Sequence, residues 1–419
     1  MLATTPPDGP SAPTAANAPA GLRFVLATPS VPQLFLGSLT GRLPTAAAPL
    51  AIVLCTVASG GNYGQAGTFA ALYGLAATLG QPLLGRLVDR NGQRGPMLSA
   101  ALISTTGLAA FPVAVHANAL AGSLAAAVGG LATPPLESAL RSLLPRVVPA
   151  HALPSAFALD VVTQSAMFAA GPLLVTAVTG YLTPAAALAT AAVLGLAGTW
   201  AMIRTPPSRN WHPAPHPSDW LGPLRSPAIR GLTAVLALVG IAIGAQSVAG
   251  AAWAEKSHHP ATAGLLLAAF SVGSCAGGLA YSRHTWHCSA AERVQRLLAG
   301  FLLAWLPLTL SPDNTAAMVT FAVLPGLLLS PILSTVFTSL PPLVEPAVLT
   351  EANGWMIAAV GAGSAIGTAT AGALADHHSP AALYLTAATA ASLAAAYAAL
   401  RNPIPSDRAD ARTSRPHRP

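Results

Sequence analysis

Arg42, Glu137, Asp160 and Gln164 are polar groups set inside long apolar runs of the sequence. A charge in a lipid-facing run is expensive, so such residues face an interior cavity, pair with one another, or handle protons and substrates. Glu137 and Arg141 stand four residues apart, which puts them on one face of a helix. Asp160 and Gln164 stand one turn apart in the next run, and Arg141 and Asp160 flank a short turn across which they can pair. Arg42 has no opposite charge in its own run, so its partner is a carboxylate on another helix or an anionic solute. Glu137 and Asp160 are the groups able to take up and release a proton. A structural ion pair near one membrane face is the plainer alternative for Glu137 and Arg141. Gln246 is a further polar group in a later apolar run.

The elements that must position these groups are membrane-spanning helices. The chain has 419 residues, of which 53% are hydrophobic and 8% charged, with mean hydropathy +0.58. A soluble domain carries about 25% charged residues, so a surface this poor in charge must face lipid. One span needs about 20 apolar residues. The apolar runs cover 33–59, 64–84, 96–115, 119–140, 156–178, 183–203, 228–253, 261–281, 294–310, 315–340, 352–375 and 381–400, which predicts twelve spans. Residues 1–30, rich in Pro, Ala and Thr, read as a disordered cytoplasmic tail without the features of a signal peptide. A proline-rich segment, 204–227, separates a first six-helix bundle (31–203) from a second (228–400), and 401–419 form an Arg-rich cytoplasmic tail.

The 20 Lys and Arg residues test this count. With the N-terminus in the cytoplasm, all of them except Lys256 and Arg42 fall on the cytoplasmic side, as the positive-inside rule requires. Both termini are therefore expected in the cytoplasm of a multi-pass protein of the cell membrane. The formal net charge of +7 reports this topology. No basic stripe with interleaved aromatics is present, which argues against a nucleic-acid partner. Cys55, Cys275 and Cys288 make no disulfide framework. The pairs His258–His259 and His377–His378, and the group His284, His287 and Cys288, read as solvated loop residues rather than a metal site or pH sensor. No phosphate-cradling loop appears, so ATP is not the energy source within this chain, and no cofactor is expected.

Between the second and third runs the chain reads Gly85-Arg86-Leu87-Val88-Asp89-Arg90-Asn91-Gly92-Gln93-Arg94. Gly85 and Gly92 permit a tight helical hairpin. Asp89 suits the positive end of a neighbouring helix, and Arg90 and Arg94 can pair with carboxylates or lipid phosphates. This segment resembles the signature loop of the major facilitator superfamily. The stretch Thr350-Glu351-Ala352-Asn353-Gly354-Trp355 at the start of the eleventh run is similar to one in bacterial members, with Glu351 as a gating carboxylate or simply a helix-capping one. Gly171-Pro172 resembles part of a motif of drug antiporters, although Val175 and Thr176 stand where that motif has glycines. The segment 171–182 also echoes 363–374, which favours duplicated halves.

The resemblance implies an all-α membrane protein of twelve transmembrane helices in two pseudo-symmetric six-helix bundles, working as a monomer. It implies that spans one, four, seven and ten line the cavity, making Arg42 and Glu137 leading candidates for substrate or proton contact. It places Asp89 against span eleven, locking the halves in one state. Arg141, Gly171, Pro172, Glu351 and Trp355 are then structural or gating groups, and Gln164 stands where many relatives carry a carboxylate. The partners implied are a small-molecule substrate, protons and the lipid bilayer. Export of a small organic or drug-like molecule is the favoured function, since the expected polar cavity groups are only Arg42, Glu137, Gln164 and Gln246. Proton symport of a nutrient or anionic metabolite, paired to Arg42, is the alternative. A membrane enzyme or sensor on the same scaffold would need clustered reactive groups at one face, and none is seen.

Overall fold

The structure is a computed structural model that describes residues 22–212, 222–257, 261–284, 286, 288–310, 314–375 and 379–404. The residues 258, 259, 287, 377 and 378 of the histidine clusters lie outside this range, as do most of the two terminal tails.

Fifteen α-helices make up the described residues: α1 (Leu22–Ala27), α2 (Val31–Ala58), α3 (Tyr63–Asn91), α4 (Arg94–Ala117), α5 (Ala119–Leu131), α6 (Leu136–Val147), α7 (Leu153–Tyr181), α8 (Pro184–Ile203), α9 (Pro206–Arg209), α10 (Pro227–Lys256), α11 (Ala261–Arg283), α12 (Ala290–Thr309), α13 (Thr315–Ser339), α14 (Leu349–Ala375) and α15 (Pro380–Arg401). Ten helical segments, with α5 and α6 taken together, are long and apolar enough to cross a membrane. Of the other two long helices, α12 opens on Glu292, Arg293 and Arg296, and α3 is diluted by Gly, Gln and Thr. Short polar side chains set several starts. Asn62, Asn118, Thr183, Ser289 and Asn314 each accept a hydrogen bond from a first-turn backbone N–H.

Two segments depart from the sequence expectations. The tail at 1–30 is not disordered throughout: 22–27 are helical, and Val25 is fully buried in the core. The fourth run, expected as one span over 119–140, is broken at 132–135 and then continues to Val147. Pro134 and Pro135 cause the break, since neither has an N–H to donate to a helical ladder. Arg141 is consequently not in a solvated loop but inside α6, 1% exposed.

The helices pack in two sets, with α2 against α3, α7 and α8, α4 against α5 and α8, α10 against α14 and α15, and α11 and α12 against α13. Glycines bring backbones into direct contact along several of these pairs. Gly37, Gly41 and Gly198 do so between α2 and α8, Gly240, Gly244, Gly363 and Gly367 between α10 and α14, and Gly273, Gly277 and Gly326 between α11 and α13. Gly171, like Gly363 and Gly367, packs within its own set. Gly171 meets Ala46 and Ala47 of α2, and Gly372 faces open space. Close approaches between sets include Gly85 against Thr350 and Glu351, Gly354 against Gln81 and Pro82, Gly361 against Thr78, and Gly278 against Val162.

Candidate functional site

Four charged side chains converge between α2, α6 and α7. Arg42 donates from Nη1 to Asp160 Oδ1 at 2.9 Å and from Nη2 to Glu137 Oε2 at 2.8 Å. Arg141 donates from Nε to Asp160 Oδ2 at 2.7 Å, and its Nη2 stands 2.7 Å from Glu137 Oε1, an ion-pair contact off the hydrogen-bond direction. Gln164 completes the group by donating to Glu137 Oε2 at 3.0 Å. Two arginines and two carboxylates thus form a closed, charge-balanced ring, each carboxylate bridging both guanidinium groups. Burying so many charges is tolerable only because every one is paired.

The ring is not uniform. The side chains of Asp160 and Arg141 are 0% and 1% exposed and that of Arg42 7%, whereas Glu137 keeps 12%. Asp160 is the fixed underside of the ring, and Glu137 is the member with access to open space. The break in the fourth run accounts for this. It starts α6 anew at Leu136, so Glu137 occupies the first turn, where a carboxylate meets the positive end of the helix. The opposite face of Arg141 lies over the ring of Phe337 on α13, 3.6 Å from its centroid. The same helix touches the other set again one residue later, where the hydroxyls of Thr350 and Ser142 lie 3.1 Å apart.

A second cluster joins α3 to α14. Asp89 accepts hydrogen bonds from the backbone N–H groups of Thr350 and Glu351, at 3.3 and 2.8 Å. It caps the first turn of α14 from outside the helix. Arg86 grips the Glu351 carboxylate with two parallel bonds, Nη2 to Oε1 at 2.7 Å and Nε to Oε2 at 3.0 Å. Gly85 permits this approach, because a Cβ there would meet the Thr350 backbone. Gly92 holds φ at +84°, the left-handed geometry that lets the chain turn from α3 into α4. Hydrogen bonds and ion pairs between the two sets run from the C-terminal end of α3, from α6 and from the N-terminal end of α7 to the N-terminal end of α14 and the C-terminal end of α11.

Asp89 lies beyond the apolar run 64–84. Burial pushes its carboxyl up to about 7, with the neighbouring Glu351 charge adding to the rise and the hydrogen bonds from Thr350 and Glu351 opposing it. Arg86 and Arg146 are the nearby cations. When the sets part and Asp89 meets water, its pKa returns toward 3.8. The closed contact therefore binds the proton more tightly: it is strongest below pH 3.8, weakens as pH rises from there to about 7, and levels off above that. Spin labels at Arg90→Cys and Glu345→Cys, with the native cysteines replaced, are expected to report a shorter-distance population at pH 6 than at pH 8. In Asp89→Asn that difference should vanish; a variant that keeps it would assign the titration to another group.

The structure brings Arg42, Glu137, Arg141, Asp160 and Gln164 together, and Gly85, Asp89 and Glu351 together. It does not bring Gln246 to either group. Gln246 is buried on α10 with its Nε2 unpartnered. Arg90 and Arg94 are exposed and make no ion pair among the described residues. Pro172 sits within a continuous α7, and Trp355 is half-buried on α14 with its Nε1 unpartnered. Arg86, Ser142 and Phe337 were not singled out from the sequence. Among the described residues no group of three His, Cys, Asp or Glu could hold a metal ion. A groove of about 510 Å³ between α2 and α8, lined by Gln33, Leu36, Thr40 and Arg204, does not touch the charged ring.

The profile of the Major Facilitator Superfamily matches residues 34–287. No curated protein sequence matches the chain. Among solved structures, the human organic anion transporter MFSD10 (TETRAN) aligns with TM-score 0.71 at 18% identity, covering 90% of this chain and 99% of that one. A bacterial homologue of the iron transporter ferroportin, in its outward-facing state, aligns with TM-score 0.71 at 14% identity over 88% and 98%. The transporter FucP in its outward conformation gives 0.64 at 15% over the same shares. At these identities the likeness is one of fold.

Proposed function

The chain belongs to the major facilitator superfamily, and from that premise we propose that it is a proton-coupled secondary transporter of a small organic solute, with Glu137 as the proton carrier. Its twelve long helices form two six-helix halves, 31–203 and 228–400, joined by the linker 204–227. The positive charges put both termini in the cytoplasm. The packed contact of α3 with α14 is then the cytoplasmic gate, and the conformation described is closed to the cytoplasm.

The observation that carries this reading is the ring at Arg42, Glu137, Arg141 and Asp160. Protonating Glu137 removes one of two anions that hold two buried guanidinium groups, and so unbalances the ring by a full charge. Helix α6 supports transmission of that change, since Arg141 touches Phe337 and Ser142 touches Thr350, both in the second half. The proton state of Glu137 thereby biases which arrangement of the halves is favoured. Export by antiport was favoured by a sparse polar lining. Behind Arg42 and Glu137 the ring sets Arg141 and Asp160, and this favours symport instead, because a solute that binds the unbalanced ring binds together with the proton.

Sealed inside-out vesicles with an internal pH dye and an acidic lumen separate these directions. An added solute that acidifies the lumen further indicates symport, and one that alkalinises it indicates antiport. Either response is expected to disappear in Glu137→Gln. A response that survives that substitution would move the proton to another group and overturn the reading.

A further inference from the structure

The ring also defines what kind of solute it takes. We propose that the place occupied by the Glu137 carboxylate is the binding slot for the solute's own headgroup. A small organic monoanion with a carboxylate or sulfonate head replaces Glu137 between Arg42 and Arg141 once Glu137 is protonated. The inference rests on the reading of Glu137 as proton carrier and adds the substrate class.

Three features of the ring lead to it. First, the two guanidinium groups are held from beneath by Asp160, which bonds Arg42 Nη1 and Arg141 Nε whether or not Glu137 is present as an anion. Their other nitrogens, Arg42 Nη2 and Arg141 Nη2, lie 2.8 and 2.7 Å from the two Glu137 oxygens, the first as a hydrogen bond and the second as an ion-pair contact. That spacing is a fork for any two-oxygen anion, and Glu137 is its resident occupant. Second, Glu137 does not saturate the fork. Arg141 Nη2 is buried without a hydrogen-bond partner although it lies 2.7 Å from Glu137 Oε1, and Glu137 stands in the first turn of α6. That turn belongs to a helix of 12 residues whose N-terminus has no capping side chain, and a half-helix start of this kind favours an anionic group. Third, Glu137 has somewhere to go. Gln164 already reaches Glu137 Oε2, and its amide oxygen can accept the hydrogen of the neutral acid after the side chain turns. The charged groups facing Glu137 are Arg42 from α2, Arg141 from α6 and Asp160 from α7.

The charge balance follows. In the empty form the ring holds two cations, Asp160 and ionised Glu137. In the loaded form it holds two cations, Asp160, the solute anion and neutral Glu137, with the proton on the Glu137 carboxyl. Both forms are neutral, so both can be occluded without an unpaired buried charge. Proton without anion, or anion without proton, leaves the ring unbalanced, which ties their movements one to one.

Acetate, the probe, tests the slot without knowledge of the natural solute. Purified Glu137→Ala protein is held at pH 7.5 with acetate, equimolar chloride, or equimolar acetamide. Acetate is expected to raise the Tm by roughly 2 °C or more over both controls, since a ligand bound only by the folded state stabilises it. Wild-type protein at the same pH is expected to show a smaller acetate effect, because its own carboxylate occupies the fork. Should Glu137→Ala fail to fold, Glu137→Gln is expected to show an acetate effect larger than that of wild type. An acetate effect no larger than that of chloride or acetamide would overturn the slot, and so would one in wild type equal to that of the variant. The vesicle response of Glu137→Gln judges the proton reading by itself. The acetate effect in Glu137→Ala judges the slot with no proton involved, so the two failures are distinguishable.

Discussion

Asp160→Ala is expected to be the most destabilising substitution in the ring. Asp160 bridges two arginines that are themselves almost wholly buried, and its own side chain is 0% exposed. Its loss leaves both guanidinium groups with Glu137 alone to balance them. Breaking a buried ion pair by removing one partner costs about 3–5 kcal/mol, a large part of the 5–15 kcal/mol by which folded domains are typically stable. Glu137→Gln should cost much less. It retains the Asp160 bridge, it keeps an amide oxygen in the fork, and water reaches that side of the ring. Thermal unfolding in detergent, followed by tryptophan fluorescence, is expected to give a much lower Tm for Asp160→Ala than for Glu137→Gln. Equal losses would mean that the two carboxylates share one role, and that Glu137 is as much a structural group as Asp160.

The second large effect is expected at the gate. Arg86 is 21% exposed in its side chain, and Glu351 is 2% exposed. The two truncations are therefore not equivalent. Without Glu351, Arg86 can extend into solvent. Without Arg86, the buried Glu351 carboxylate loses the two bonds it accepts from that guanidinium and keeps the Asp89 carboxylate close by. Arg86→Ala should therefore open the gate more than Glu351→Gln does. A loss on the order of 3 kcal/mol would change the ratio of closed to open forms by roughly a hundredfold. The spin-label pair at residues 90 and 345 is expected to shift to a longer distance in Arg86→Ala. The double variant Arg86→Met, Glu351→Leu should restore the short distance, because an apolar pair of similar volume removes the buried charge. An unchanged distance in Arg86→Ala would leave Asp89 and the glycine contacts as the seat of closure.

Much of this was legible in the sequence, and the limits have physical reasons. Each apolar run but the fourth falls on a single helix, because lipid-facing helices must be apolar along their whole length. The fourth run was misread at its end, since hydropathy marks where residues turn polar and not where the helix stops, and α6 continues through Arg141 and Arg146. The ring members stood out singly because charges in apolar runs are rare. The i,i+4 pair Glu137–Arg141, and Arg141–Asp160 across its turn, were readable locally. The partners of Arg42 were not, being 95 and 118 residues away. Arg86 was overlooked for the same reason, its partner lying 265 residues along the chain. Gln246 satisfied the same sequence criterion as the ring residues, and only the packing separates it from them.

The glycine contacts within each set have a mechanical consequence. Where Gly198 lies against Gly41, or Gly244 against Ser364, main chain rests on main chain with no side chain between. Such a joint has no rotamers to exchange, and a slip of one residue would drive a Cβ into a backbone. It is a weld. Between the sets such approaches recur at Gly85 and Gly354, but there they stand beside an ion pair, a capped helix start, a hydroxyl pair and a ring under a guanidinium, all groups that can part and meet water. In the transport cycle proposed above, these welded pairs would carry each set as a lever, and a charge change at Glu137 would be delivered as rotation rather than lost as internal strain.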